Sequence, residues 1–323
     1  MAWYWIVLIC VAGVAVLYLL LCYLIARRVL KAATTPVAHT LQEARTLQGE
    51  KEKMDFSEYD NVWRKESFIL KGVQGKISGE VVYNKPTTPA KVAVVCHGHT
   101  WNRLNSLKYA KVFYDKGYSL VLYDHAYFGL SQGTHTTLGD KEKFDLSTVL
   151  DFVRQKFGKD AVVCLHGESM GAATVLLELS VRNDVSFVVA DCGFSDTMKY
   201  YRELSPQLTH LPAFPIVDMA NAMSKRRYGY DFNKVKPIDA VRQSNVPICF
   251  IHGGEDKFIS PHHSQWMYNA SKNPLSELHI VDGAGHACSY NVDNSGYCNI
   301  VSKFIDKVEA NLSLPKASQN TTK

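Results

Sequence analysis

The chain has 323 residues, 46 % apolar and 21 % charged, with a formal net charge of +5. With that composition the chain reads as globular and long enough to bury one sizeable core. A mild positive charge with no long basic stripe argues against nucleic acid as a partner, and eight cysteines without C-x-x-C spacing argue against a zinc site or a disulfide framework.

From Ala2 to Ala26 there is no charged residue, and the segment is rich in Val, Leu, Ile, Tyr and Trp. As a helix it reaches roughly 37 Å, against a hydrocarbon core of ~30 Å. A transmembrane anchor is expected over residues 1–26. A cleaved signal peptide would have a basic start and a shorter apolar core, whereas Trp3, Tyr4, Trp5 and Tyr23 suit an aromatic belt. Arg27, Arg28 and Lys31 follow the span and no cation precedes it. The positive-inside rule then predicts a single-pass membrane protein with its folded domain in the cytoplasm. Free thiols agree with that side, and the N-x-[ST] sequons at Asn269, Asn311 and Asn320 matter only on the other. Residues 27–60 read as a juxtamembrane connector. Within it, Leu41 to Met54 is rich in Gln, Glu, Lys and Arg and predicts a helical spacer with little apolar surface.

A folded domain is expected over residues 61–312. The stretches from Ser67 and from Gly79 read as an antiparallel strand pair, and Lys91–Cys96 as a first buried parallel strand. Tyr118–Asp124, Ala161–His166, Val185–Asp191, Val246–His252 and Glu277–Val281 follow as strands. Between Lys141 and Phe157 the residues Leu146, Val149, Leu150, Val153 and Phe157 recur at helical spacing, and a last helix is expected from Ser295 to Ala310. Alternating strands and helices predict an α/β fold with a mostly parallel, doubly wound sheet. One interval breaks the rhythm: residues of about 195–245, rich in Met, Tyr, Phe and Leu, predict a helical cap over the carboxyl edge of the sheet. Residues 313–323 read as a disordered polar tail.

Gly167-Glu168-Ser169-Met170-Gly171 is a G-x-S-x-G pentapeptide between an apolar strand and an apolar helix. Such a turn thrusts the serine out of the backbone, and the glycines avoid collision with neighbouring elements. Asp256, beyond the strand ending His252-Gly253, and His286, in Gly283-Ala284-Gly285-His286, follow in the order serine, acid, histidine. All three fall beyond carboxyl ends of strands, where functional groups gather in open α/β sheets. Ser169 is therefore the candidate nucleophile, His286 its base and Asp256 the group that orients the base. Asp191 and Asp196 are rival acids. Oxyanion donors are expected from the backbone N–H groups of Met170 and His99, with Gly98 allowing close approach. His97 is expected to brace its loop. Metal binding by His97, His99 and His125 lacks supporting ligand spacing, so neither metal nor cofactor is expected.

These pieces together resemble the α/β-hydrolase superfamily, and within it the serine aminopeptidase S33-like and Bem46-like hydrolases. The resemblance rests on His97-Gly98, Tyr123-Asp124 with Gly129, Ser131 and Gly133, the pentapeptide, Asp191 with Phe194-Ser195-Asp196, Gly229-Tyr230-Asp231-Phe232, His252-Gly253 with Asp256, and Gly283 to His286. It implies the α/β-hydrolase fold over residues 66–310. Relatives carry Asp-x-Arg-Gly where this chain has Asp124, His125 and then Ala126, and His125 or Arg103 is expected to take over the bracing. The expected activity is hydrolysis of a carboxylic ester, small or lipid-like with a hydrophobic acyl group, through an acyl-enzyme. A peptidase, amidase or acyltransferase on the same residues, and a catalytically silent scaffold at the membrane, are the alternatives.

Overall fold

The computed structural model describes residues 2–313. Three helices come first: α1 (Ala2–Thr34), α2 (Leu41–Lys51) and α3 (Ser57–Asn61). The hairpin β1 (Arg64–Gly72) and β2 (Gly75–Tyr83) leads into β3 (Lys91–Cys96), α4 (Leu107–Asp115), β4 (Ser119–Tyr123), α5 (Glu142–Phe157), β5 (Val162–Glu168), α6 (Met170–Glu178) and β6 (Phe187–Asp191). The interval after β6 folds as α7 (Thr197–Thr209), α8 (Ala213–Tyr228), a 3-10 turn and α9 (Pro237–Gln243). Then come β7 (Ile248–Gly253), α10 (His262–Ala270), β8 (Glu277–Val281), α11 (Ser289–Val292) and α12 (Asn294–Ser313).

The eight strands form one sheet in the order β1-β2-β4-β3-β5-β6-β7-β8. The hairpin and its β4 neighbour pair antiparallel, and β3 to β8 are parallel. Alternation along each strand divides the core into two layers. Val92, Val94 and Cys96 of β3 face α5 and α6 (Leu146, Val149, Val175). Ala93 and Val95 face α4 and α12 (Phe113, Val301, Phe304). Each fully buried Val, Leu or Phe there contributes about 1.5–3 kcal/mol relative to exposure.

A third apolar cluster joins α1 to the cap, and here the structure departs from the expected connector. The helix does not end at residue 26 but runs on to Thr34. Cys22, Ala26, Leu30 and Ala33, one stripe of that helix, are buried with Ile216, Val217 and Ala220 of α8. The following strap is tied to the body by backbone bonds. Thr136 N–H donates to Thr34 O (2.8 Å) and His39 N–H to Thr100 O (2.9 Å), while Tyr127 Oη donates to Pro36 O (2.8 Å). The expected spacer helix α2 is docked too, with Ala44 and Gln48 buried and Gln48 Nε2 donating to Asn105 Oδ1 at 2.6 Å. Earlier in α1, the side chains from Trp5 to Leu21 are exposed. Among the described residues α1 is the one helix long and apolar enough to cross a membrane. All eight cysteines are free, Cys288 and Cys298 included. The expected tail beyond Ser313 lies outside the described residues.

Candidate active site

The turn from β5 into α6 holds Ser169 at φ 55°, ψ −111°. This is a sparsely populated backbone conformation for a residue with a Cβ. It persists because its surroundings leave no alternative: a Cβ on Gly167 would stand 2.3 Å from the Gly171 carbonyl, and one on Gly171 2.2 Å from Cys96 O. Ser169 N–H donates to Asp191 O at 2.8 Å, fixing the turn to β6.

The structure brings Ser169, His286 and Asp256 together. Ser169 Oγ lies 3.0 Å from His286 Nε2, and His286 Nδ1 lies 2.7 Å from Asp256 Oδ2. A carboxylate only accepts, so Nδ1 carries the proton and Nε2 is left to accept from the serine hydroxyl. Asp256 Oδ1 accepts from the N–H groups of Phe258 (2.8 Å) and Ile259 (2.9 Å). Burial opposes its ionisation, but hydrogen bonds from His252 and His286 and the Ile259 N–H outweigh that and hold its carboxyl well below the usual carboxylate range. His252, which the sequence marked as a strand end and as part of the family resemblance but gave no role, is the unexpected member. Its Nε2 lies 3.2 Å from Asp256 Oδ2 and donates to Ile259 O at 2.9 Å, while Nδ1 accepts from Ser264 Oγ at 2.7 Å.

Neither rival acid hydrogen-bonds to His286, whose Nδ1 is taken by Asp256. Asp196 caps α7, accepting from Lys199 N–H at 2.9 Å. Asp191 is fully buried, and among the described residues neither carboxylate oxygen has a hydrogen-bond partner. Burial, and then the nearby Glu168 carboxylate, push its pKa up to about 8.

Met170 opens α6, so its N–H has no helical acceptor. Among the described residues neither that N–H nor the N–H of His99 donates to another protein group. The two residues line one cavity with Ser169. The His99 ring donates from Nε2 to Ala33 O of α1 at 3.0 Å. Gly98 is required for a reason the sequence did not show: its Cβ would meet Glu168 Oε1 at 2.5 Å. That carboxylate is held by Tyr109 Oη (2.5 Å) and Asn105 Nδ2 (3.2 Å). His97 braces the loop, donating from Nδ1 to Gly98 O (2.7 Å) and accepting from His125 N–H (2.9 Å). Arg103, not His125, supplies the brace missing at Ala126. Its N–H donates to Asp124 Oδ1 at 2.8 Å and its guanidinium pairs with Oδ2, whereas both His125 ring nitrogens are buried without a partner among the described residues.

Ser169 opens into a cavity of about 890 Å³. Its floor is Leu138, Phe194 and Ile259, its cap side is Tyr200, Tyr201 and Leu204 of α7, and its third wall is the end of α1. Away from this cavity, Cys249, Glu277 and His279 bring ligand atoms within 4.8 Å of one another. Glu277 is already paired there with Lys307 at 2.7 Å.

Residues 87–208 match the family model described as serine aminopeptidase, S33. The uncharacterised protein YqkD of Bacillus subtilis (strain 168) is 32 % identical over 249 residues, which span 76 % of this chain and 80 % of YqkD. In architecture the chain is similar to the Pyrococcus furiosus esterase PF2001, with TM-score 0.65 and 21 % identity over 79 % of this chain and 95 % of that one. It is also similar to Est1E of Butyrivibrio proteoclasticus, solved with ferulic acid, with TM-score 0.58 and 17 % identity over 73 % of this chain and 96 % of that one. The chain belongs to the α/β-hydrolase superfamily and, within it, to the serine aminopeptidase S33-like group.

Proposed function

We propose that the protein is a membrane-anchored serine hydrolase that cleaves carboxylic esters with hydrophobic acyl groups through an acyl-enzyme on Ser169. The observation that carries this is the unbroken hydrogen-bonded chain from Ser169 Oγ through His286 to a buried Asp256, opening on an apolar cavity. Ser169 Oγ attacks the ester carbonyl as His286 Nε2 takes its proton. The carbonyl oxygen gathers charge against the N–H groups of Met170 and His99. His286 then gives the proton to the leaving alcohol as the acyl C–O bond breaks, and Asp256 stabilises the transient imidazolium. Water, deprotonated by His286, attacks the acyl-enzyme, releasing the carboxylic acid and returning the proton to Ser169.

An esterase and a ferulate-bound protein among the structural relatives support ester chemistry by analogy of fold. The family description names an aminopeptidase, but among the described residues lining the cavity the charged ones are Arg28 and Lys31, with no carboxylate to hold a peptide's amino group. Retention of α1 as an anchor is supported by its last turns, which complete the cap cluster and hold His99. Arg27, Arg28 and Lys31 after the span favour a cytoplasmic domain. The test is hydrolysis of an acyl-ester series by the full chain and by Ser169→Ala. Chain-length-dependent turnover abolished in the variant supports the reading. Amide-only turnover favours a peptidase, acyl transfer to an added alcohol in preference to water favours a transferase, and no turnover by folded protein leaves the silent scaffold.

A further inference from the structure

We propose that the ester substrate is an anionic lipid drawn directly from the bilayer, with the end of the anchor helix itself forming one wall of the acyl site. This rests on the serine-hydrolase reading and adds to it the class and source of the substrate.

The first observation is where the domain meets α1. The part of α1 free of the domain, Trp3 to Leu21, spans roughly 28 Å at 1.5 Å per residue, close to the ~30 Å hydrocarbon thickness. Contact with the cap begins at the next residue, the buried Cys22. The fold therefore leaves no spacer between membrane and cap. The C-terminal ends of α1 and α8 lie together, because Thr136 N–H donates to Thr34 O and its neighbour His135 stacks on Tyr228 at 4.5 Å. Two helices packed side by side with their C-termini together run in the same direction. Counting back from Tyr228 to Pro215, where the regular helix begins after the non-helical Phe214, brings the start of α8 roughly 20 Å up the helix, to about the level of Leu21. The α7–α8 hairpin tip thus reaches the membrane boundary. It carries Leu208 and Phe214, which are 62 % and 74 % exposed. Large apolar side chains so exposed at that level suit immersion in the lipid interface.

The second observation is the cavity wall. Ile25, Val29, Ala32 and Ala33, on the domain side of α1, line the same cavity as Ser169, and so does Leu208 at the hairpin tip. An acyl chain moving from the bilayer to Ser169 passes along the helix that spans that bilayer, between α1 and α7, without entering water.

The third is charge. Arg28 and Lys31 are the charged residues of this cavity's lining. They also line an adjoining groove with Arg27, Arg226 and Arg227. Among the described residues none of these five cations forms an ion pair with a carboxylate. Arg28 and Lys31 lie roughly 10–15 Å beyond the end of the free span, within reach of lipid phosphates for long side chains. An anionic headgroup there sets the ester of its acyl chain at the cavity mouth. Hydrolysis then breaks the acyl C–O bond, the lyso-lipid leaves with the proton from His286, and water releases the fatty acid.

The experiment uses the full chain reconstituted in vesicles, offered phosphatidylglycerol or phosphatidylcholine of matched acyl chains, and a soluble short-chain ester. We expect the anionic lipid to be cleaved faster by roughly tenfold or more, and the ratio to collapse toward one in Arg28→Glu/Lys31→Glu. Val29→Trp should shift the preferred acyl length downward. Fluorophosphonate reaction at Ser169 reports that each variant is folded, and if the double variant fails that control, Arg28→Gln and Lys31→Gln read the same ratio. Equal rates on the two lipids, a ratio insensitive to Arg28 and Lys31, or a soluble anionic ester cleaved as fast as the embedded one overturns the inference alone, provided the short ester is cleaved. Failure on every ester, the soluble one included, overturns the hydrolase reading and this inference together.

Discussion

His99 Nε2 lies 3.0 Å from the carbonyl oxygen of Ala33. A carbonyl only accepts, so Nε2 carries a proton, and burial lowers the ring's pKa. The bond joins the loop after β3, which carries a proposed oxyanion donor, to the last turn of α1. Removal of residues 1–34 should therefore do more than take away the proposed anchor. It strips Cys22, Ala26, Leu30 and Ala33 from the cap cluster, a loss on the order of 5 kcal/mol. We expect the truncated chain to show a lower Tm than the full chain in detergent and much-reduced turnover. A truncated domain of unchanged Tm and kcat would show that α1 is only a tether.

Asp256→Asn should leave the hydrogen-bonded geometry nearly intact while favouring the wrong His286 tautomer. The expected result is a fall in kcat of about 10³–10⁴-fold with little change in KM. Asp191→Asn, whose side chain does not reach His286, should change kcat far less. Steady-state kinetics of the pair separate the two acids, and a larger kcat loss from Asp191→Asn would reassign the orienting group.

Asp191 also sets a stability dependence on pH. Its folded pKa is raised to about 8, above an unfolded value of about 3.9. Between those values the folded chain holds the proton that the unfolded chain has lost, so stability falls as pH rises from about 4 to 8. Asp191→Asn removes this term. The Tm of the variant minus that of the wild type should grow across that window and level off above it, as measured by thermal melts at fixed ionic strength.

Arg103→Ala leaves Asp124 buried and short of its cation. Breaking a buried pair from one side costs about 3–5 kcal/mol. Asp124 also accepts from Leu130 N–H at 2.9 Å, so the loop after β4 should loosen with it. Denaturant melts should register the loss, and hydrogen exchange should rise in residues 124–131.

Much of this arrangement was legible in the sequence, for identifiable reasons. The strands announced themselves as short β-branched runs, and loops at their carboxyl ends carried Ser169, Asp256 and His286. The pentapeptide glycines were legible because the turn admits no Cβ at Gly167 or Gly171. What was missed depends on contacts between distant segments. Arg27, Arg28 and Lys31 made residues 27–34 look like a solvated connector, although Cys22, Ala26, Leu30 and Ala33 already spelled one apolar helical stripe. Glu168 as the neighbour of Gly98 and His252 as a partner of Asp256 leave no periodic trace, because each joins a strand end to a loop, and the sequence left the brace at Asp124 open between Arg103 and His125.

The central claim is that Ser169 is an activated nucleophile, and the most direct measurement is reaction of the full chain with a fluorophosphonate followed by peptide mapping. One stoichiometric adduct is expected on Ser169, absent from Ser169→Ala and slowed in Asp256→Asn. An adduct that persists in Ser169→Ala, or folded wild-type protein that does not react, would contradict it.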